Sequence, residues 1–216
     1  MLFNLFQAFN AMPQLSDSVK SFYQSACLFE ASLLPLAFIL GWVVDIAPFA
    51  NLYFTEAAYI YGVAGTLPLL LAFVSLQYAS HPALQRMRDL VMLNLVSRLY
   101  TLHWSDLLVL ASIAGIAEEC LFRGVLQPWL EIKLGIDLGL LVSSVIFGLV
   151  HAITPFYALC AGLVSIYLGL ALDYGGERNL LIPIIIHGLY DFVAFVALIR
   201  FYRQHLTTAE MDNANR

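Results

Sequence analysis

The chain has 216 residues, of which 61% are hydrophobic and only 12% are charged, and its formal net charge is −5. Soluble domains carry about 25% charged residues, so this composition excludes an ordinary soluble domain. The absence of a basic region excludes a nucleic-acid-binding protein. Apolar stretches of about 20 residues recur along the chain, and such a stretch is long enough to cross a bilayer. The sequence therefore predicts an all-α, polytopic bundle of transmembrane helices.

The predicted bundle has about six spans, separated by polar or proline-containing breaks. A polar, partly amphipathic segment, 81–104, separates the second span from the third. With the N-terminus inside, most Lys and Arg residues fall on the cytoplasmic side and only Lys133 and Arg178 fall outside. This bias predicts that both termini are cytoplasmic. The predicted spans are residues 28–50, 54–79, 105–130, 138–153, 156–172 and 180–201.

We divide the chain into three parts: an N-terminal part, 1–104, a core of four spans, 105–201, and a polar C-terminal tail, 202–216. The N-terminal part contains a tail, two spans and the amphipathic cytoplasmic segment. Residues 1–20 lack the early positive charge of a secretory signal, so we expect an interfacial segment or an end without regular structure. Cys27, Cys120 and Cys160 form no CxxC pair, and no disulfide is predicted.

The third span contains ionisable residues where charge costs roughly 2.5–3.5 kcal/mol. Glu119 and Arg123 are four residues apart and share a helix face, so we predict an ion pair between them. Glu118 lies on a face turned by about 100°. Because one arginine needs only one carboxylate, Glu118 is available for another task, such as general-base catalysis. The alternative is a purely structural ion network of all three side chains. Ser105 or Asp106 is the expected N-cap of this helix.

The fourth and sixth spans each contain a second pair at the same spacing. Phe147 and His151 share one face, and His187 and Asp191 share another, where Asp191 can hold the imidazole in one orientation. Gly188 is expected to let a neighbouring helix approach closely. Depths of about 10–20 Å along the helices place the polar side chains of all three spans where they can meet in one cavity. For each pair, the alternative is a hydrogen bond that only fixes helix packing.

The motifs of other intramembrane hydrolases are absent from the chain. It lacks the GxSG motif of rhomboid-like serine proteases and the HExxH motif of site-2-type metalloproteases. Tyr190 and Asp191 match the YD of presenilin-like proteases, but no GxGD motif accompanies them. Cys120 has no base within its own motif, which argues against a cysteine nucleophile.

The order EExxxR, FxxxH and HxxxD on successive hydrophobic helices resembles the CPBP family. This family comprises CAAX prenyl endopeptidases and bacteriocin-processing or self-immunity proteins, also called glutamic-type intramembrane proteases. The resembling core runs over residues 105–195. The resemblance implies an intramembrane endopeptidase that acts on a membrane-associated or lipidated peptide.

The resemblance also implies a role for each motif residue. Glu118 would activate water with the help of His151, while His187 and Asp191 would bind the oxyanion of the tetrahedral intermediate. The eukaryotic CAAX enzymes of the family have asparagine at the last position. Asp191 would therefore have to be protonated, or act by orienting His187. The supporting residues would be Glu119, Arg123 and Phe147.

Several alternatives stay open at the level of the sequence. The resemblance implies metal-independent chemistry without a cofactor, but Glu118, His151, His187 and Asp191 are also a zinc-ligand set by residue type. A non-catalytic immunity or peptide-binding protein is a second possibility, and a proton-coupled transporter is a third. The expected partners are the lipid bilayer and a peptide or protein substrate, which is a CAAX tail, a bacteriocin leader or a C-terminal sorting segment. The expected location is the bacterial inner membrane.

Overall fold

A computed structural model describes residues 17–214, with side chains described up to residue 204. This part of the chain contains helices and no β-strand, which confirms the predicted all-α class. Two π-helical turns, π1 (Met92–Val96) and π2 (Phe122–Leu126), interrupt longer helical runs. Most of the predicted interfacial segment 1–20 lies outside the described residues. The α-helices are α1 (Asp17–Val44), α2 (Glu56–Tyr78), α3 (Pro82–Val91), α4 (Ser97–Leu99), α5 (Trp104–Leu121), α6 (Gln127–Leu134), α7 (Ile136–Val150), α8 (Pro155–Ala171) and α9 (Leu181–Ala214).

Three of the described helices are long and apolar enough to cross a membrane, namely α1, α2 and α9 as far as Gln204. Helices α7 and α8 are apolar but have 15 and 17 residues, or about 23 and 26 Å of rise, against a hydrocarbon core of about 30 Å. The run from α5 through π2 to α6 is long but carries several charges. The other three predicted spans, 105–130, 138–153 and 156–172, stay a prediction.

The first predicted span is displaced from the helix that the structure contains. Helix α1 begins at Asp17, 11 residues before the predicted start, and ends at Val44 rather than at residue 50. The prediction missed the first turns of α1 because they contain polar residues such as Lys20 and Gln24. Hydropathy identifies apolar segments and does not detect helical backbone in polar ones. The helix ends where Asp45 adopts a left-handed conformation with φ +59°, and Pro48 follows three residues later.

The N-cap of α5 also differs from the prediction of Ser105 or Asp106. The cap is His103, whose Nδ1 accepts from the Ser105 N–H, while the Asp106 carboxylate accepts from the His103 N–H at 3.1 Å. The predicted acid is therefore the third residue of a capping box and not the cap itself.

The helices pack so that α5 lies between several neighbours. It contacts both α1 and α9, while α9 also packs on α2, and α7 packs on α6 and α8. One core cluster joins α1, π2 and α7 around Phe122 and Phe147. Large apolar side chains remain exposed on α1 and α2, among them Trp42 and Leu71. Such faces suit contact with lipid, and the protein is an integral membrane protein.

Helices α5 and α9 approach most closely at two glycines. A Cβ atom at Gly115 would lie 2.8 Å from the backbone nitrogen of Gly188, whereas one at Gly188 would meet only the Ala111 carbonyl oxygen, at 3.5 Å. The close approach predicted at Gly188 is present, but Gly115 is the residue that has no room for a side chain. This contact brings the end of α5 next to the middle of α9.

Replacing Gly115 by alanine is expected to lower the unfolding free energy by about 1–3 kcal/mol. The methyl group meets backbone, which cannot move aside without separating α5 from α9. The control is Gly162→Ala, where the new Cβ would lie 3.4 Å from the Ser144 carbonyl oxygen and alanine favours the helix by about 1 kcal/mol. Equilibrium unfolding in detergent micelles measures both, and equal stability of the two variants would contradict the prediction.

Arg178 links the turn between α8 and α9 to α6 through ion pairs. Its Nη1 donates to Glu131 Oε2 at 2.6 Å, and its Nη2 donates to Asp173 Oδ2 at 3.2 Å. Burial lowers the pKa of the Arg178 guanidinium, but the hydrogen bonds with Glu131 and Asp173 raise that pKa by more, so it lies above its ordinary value. The charge of the guanidinium therefore contributes to stability up to strongly alkaline pH, and this contribution is lost only above the ordinary pKa of arginine.

Candidate active site

The ionisable residues of the three motifs come from three helices. Glu118 and Glu119 lie in the last turn of α5, just before π2, and both are buried. His151 follows the last residue of α7, and His187 and Asp191 lie on consecutive turns of α9. The structure brings these side chains together in one cluster. Single π-helical turns such as π2 occur frequently at functional sites.

The predicted ion pair of Glu119 and Arg123 is present and wholly buried. Arg123 Nη1 donates to Glu119 Oε1 at 3.1 Å, and the exposed fractions of the two side chains are 1% and 0%. Arg123 Nη2 donates to both the carbonyl oxygen and Oγ of Ser165 on α8, each at 2.8 Å. The guanidinium also lies 4.9 Å from the ring centroid of Phe147. The pair thus ties α5 and π2 to α8 and α7.

His187 lies between two carboxylates rather than beside Asp191 alone. Its Nδ1 is 2.7 Å from Glu119 Oε1, and its Nε2 is 3.4 Å from Asp191 Oδ2. Glu119 therefore serves both Arg123 and His187, a second contact that its spacing did not predict. Each ring nitrogen faces a carboxylate oxygen, so an imidazolium at this position can donate a proton on each side.

His151 is held in one tautomer by the helix that it ends. Its Nδ1 lies 2.8 Å from the carbonyl oxygen of Phe147. Because a carbonyl only accepts, Nδ1 carries the proton and the lone pair of the neutral ring is on Nε2. Nε2 faces Glu118 Oε2 at 3.4 Å. The Phe147 ring stacks on the imidazole with centroids 4.2 Å apart, which fixes its plane.

Glu118 is the carboxylate that the ion pair leaves uncommitted. Its side chain is 8% exposed, and Oε2 has no hydrogen bond within the described part of the chain, although His151 Nε2 is 3.4 Å away. The distance satisfies an ion pair, but the angles do not satisfy a hydrogen bond. His151 and Asp191 keep 29% and 24% of their side chains exposed, so the cluster is open to the surface on this side.

Comparison with protein families found one match, over residues 100–193, to the model described as type II CAAX prenyl endopeptidase Rce1-like. The matched residues include all three motifs and amount to less than half of the chain. Residues 100–193 are similar to this family. The match confirms the resemblance to the CPBP family. Comparisons with curated proteins and with solved structures found no match.

The four residues that could be zinc ligands by type form separate contacts. Glu118 and His151 form one pair, and His187 with Asp191 forms another, with Glu119 against His187. Among the residues that the structure describes, no group of three or more His, Cys, Asp or Glu side chains has an arrangement that could hold a metal ion.

Two further residues that interact with the site had not been predicted. The sequence gives no indication of a role for Ser165, because serine is common in apolar helices. Glu30 of α1, which interacts with Glu118, did have a signal: it is an acidic residue within an otherwise apolar stretch, in the first predicted span. Cys27, Cys120 and Cys160 are free thiols, in agreement with the prediction that no disulfide forms.

Proposed function

We propose that the protein is an intramembrane endopeptidase in which Glu118 activates water to hydrolyse a peptide bond. One observation carries this proposal: Glu118 keeps a buried carboxylate oxygen without a hydrogen bond that faces the Nε2 of His151, among the residues described. Glu119, its neighbour, is occupied by Arg123 and His187. The family match supports the reaction class, since the matched family is described as CAAX prenyl endopeptidases.

The proposed step begins with a water molecule bound beside the Glu118 carboxylate and the Nε2 of His151, in contact with both. The fixed tautomer of His151 leaves an Nε2 lone pair that can accept a hydrogen bond from this water. Glu118 accepts a proton as the water oxygen attacks the carbonyl carbon, and the carbonyl oxygen becomes an oxyanion. Glu118 then gives the proton to the leaving nitrogen as the carbon–nitrogen bond breaks.

His187 is proposed to stabilise the oxyanion. Its Nδ1 is anchored on Glu119, which leaves the Nε2 side directed towards Asp191 and the partly exposed part of the cluster. An N–H aimed at a developing negative charge is worth about 10²–10³ in kcat. The 3.4 Å contact supports Asp191 as the group that orients His187 rather than as a direct oxyanion ligand.

The substrate is proposed to be a peptide or protein segment held in the membrane, with or without a lipid anchor. The charge bias of the loops supports cytoplasmic termini and cleavage near the cytoplasmic face. We propose the bacterial inner membrane as the location. A prenylated CAAX tail, a bacteriocin leader and a C-terminal sorting segment are the three substrate types to be tested.

We expect the purified protein in detergent micelles to cleave at least one of three quenched fluorescent peptides representing these substrate types. We also expect a zinc chelator such as EDTA to leave the rate within about twofold, because the family resemblance implies metal-independent chemistry. Cleavage is followed by fluorescence and the products by mass spectrometry. Failure of the folded protein to cut any peptide would favour a non-catalytic binding protein. Loss of activity with EDTA, restored by zinc, would contradict the metal-independent mechanism.

A further inference from the structure

Glu30 lies outside all three motifs and outside the Rce1-like match, yet its helix directs it at the site. Leu33, Leu34 and Ala37 follow it at helical spacings of three, four and seven residues, which places all four on one face of α1. These three apolar residues pack in the cluster that contains Phe147. The Glu30 side chain is half-buried, and its Oε2 is buried without a hydrogen bond to any residue that the structure describes.

Helix α1 packs against α5, and the carboxyl groups of Glu30 and Glu118 interact there. Each of the two has a buried oxygen without a donor among the described residues. Two ionised carboxylates that interact in this way repel each other strongly where the dielectric constant is low. A single proton between them replaces that repulsion with a charge-assisted O–H···O⁻ hydrogen bond, which is among the strongest in proteins.

The two arginines near this part of the chain have other partners. Arg123 is bound to Glu119 and Ser165. Arg98, on another segment packed against α1, lies over the ring of Phe22, two turns earlier on α1. The charged and titratable groups that interact electrostatically with Glu30 include Glu118 from α5, His151 from the end of α7 and Asp191 from α9. Glu118 also interacts with His187, Arg123 and Tyr157.

Building on the proposed function, we propose that Glu30 is a positioning residue for the water-activating Glu118. The protonated carboxyl of Glu30 donates a hydrogen bond to the Glu118 carboxylate and fixes its orientation towards the water and His151. A carboxylate on a flexible side chain otherwise rotates, and a misplacement of about 1 Å can cost on the order of 10² in rate. Glu30 does not touch the peptide bond in this scheme.

The test compares two substitutions that differ in hydrogen bonding. Glu30→Gln keeps a donor and is expected to hold kcat within about threefold, while Glu30→Leu removes the donor and is expected to lower kcat by about tenfold or more. KM is expected to change by less than about twofold in both, since substrate contacts are unaltered. At alkaline pH the wild-type kcat falls as the carboxyl pair and the His187 imidazolium lose their protons, and in Glu30→Gln only the part due to His187 remains. Wild-type kcat in Glu30→Leu, or an equal loss in both variants, would overturn the proposal.

A second measurement does not depend on turnover. Infrared spectroscopy at neutral pH is expected to detect the C=O stretch of a protonated carboxylic acid in the wild type, lost in Glu30→Gln. The control is Glu56→Gln, which changes an exposed acid at the start of α2 and keeps the band. If Glu30→Gln leaves the band unchanged, the proposed carboxyl pair is wrong. If the wild-type protein cleaves no peptide but Glu30→Gln still loses the band, only the proposed protease function is wrong.

Discussion

Replacing Arg123 by methionine is expected to lower the unfolding free energy by about 3–5 kcal/mol. The substitution leaves the Glu119 carboxylate, which is wholly buried, without its cation. It also leaves the Ser165 carbonyl and hydroxyl without their shared donor. The cost comes from an uncompensated buried charge and not from lost volume, because methionine fills similar space. Equilibrium unfolding in mixed detergent micelles measures the difference.

The double variant Arg123→Met with Glu119→Gln is expected to recover part of this loss. Removing both charges takes away the unpaired carboxylate, and replacement of a whole buried pair by neutral groups is often nearly neutral. The glutamine oxygen can still accept from His187 Nδ1. The matched control is Arg178→Met, where 26% of the side chain is exposed and a loss of about 1 kcal/mol is expected. A single Arg123→Met variant no less stable than Arg178→Met would contradict the account.

The local parts of the site could be predicted from the sequence because helix geometry fixes them. Residues four apart share a helix face, so the pair of Glu119 with Arg123 and the contact of His187 with Asp191 follow from spacing alone. The stacking of Phe147 on His151 follows in the same way. Burial of charge in an apolar chain also indicated which helices hold the site.

The contacts between helices could not be predicted in the same way. Ser165 and Arg123 are 42 residues apart, and His187 and Glu119 are 68 apart. Spacing carries no information on which faces of two different helices meet. That depends on close approaches such as Gly115 against Gly188. The second role of Glu119 and the interaction of Glu30 with Glu118 were therefore visible only in three dimensions.

The ends of the helices were predicted less well than their existence. Hydropathy identifies the part of a helix that can lie in lipid, so it did not predict the polar first turns of α1. The π2 turn has no sequence signal, although it begins three residues after Glu119 and contains Arg123. The short lengths of α7 and α8 show that apolar composition alone does not define a full span.

Glu118→Gln is expected to lower kcat by about 10²–10⁴-fold while the protein stays folded. Glutamine has the same shape and can accept a hydrogen bond, but it cannot take a proton from water. KM is expected to stay close to that of the wild type, because the lost interaction belongs to the transition state. The loss tests the chemistry directly, since the ion pair of Glu119 and Arg123 does not involve this side chain.

The most direct measurement is therefore kcat on a peptide that the wild-type protein cleaves. It compares Glu118→Gln with the wild type and with the control variant Glu177→Gln. Glu177 is an exposed acid in the turn before α9, within the same family match, and its variant is expected to retain wild-type kcat. Equilibrium unfolding of both variants establishes that they are folded. The account predicts loss of turnover in Glu118→Gln alone. Folded Glu118→Gln protein that turns over at the wild-type rate would contradict it.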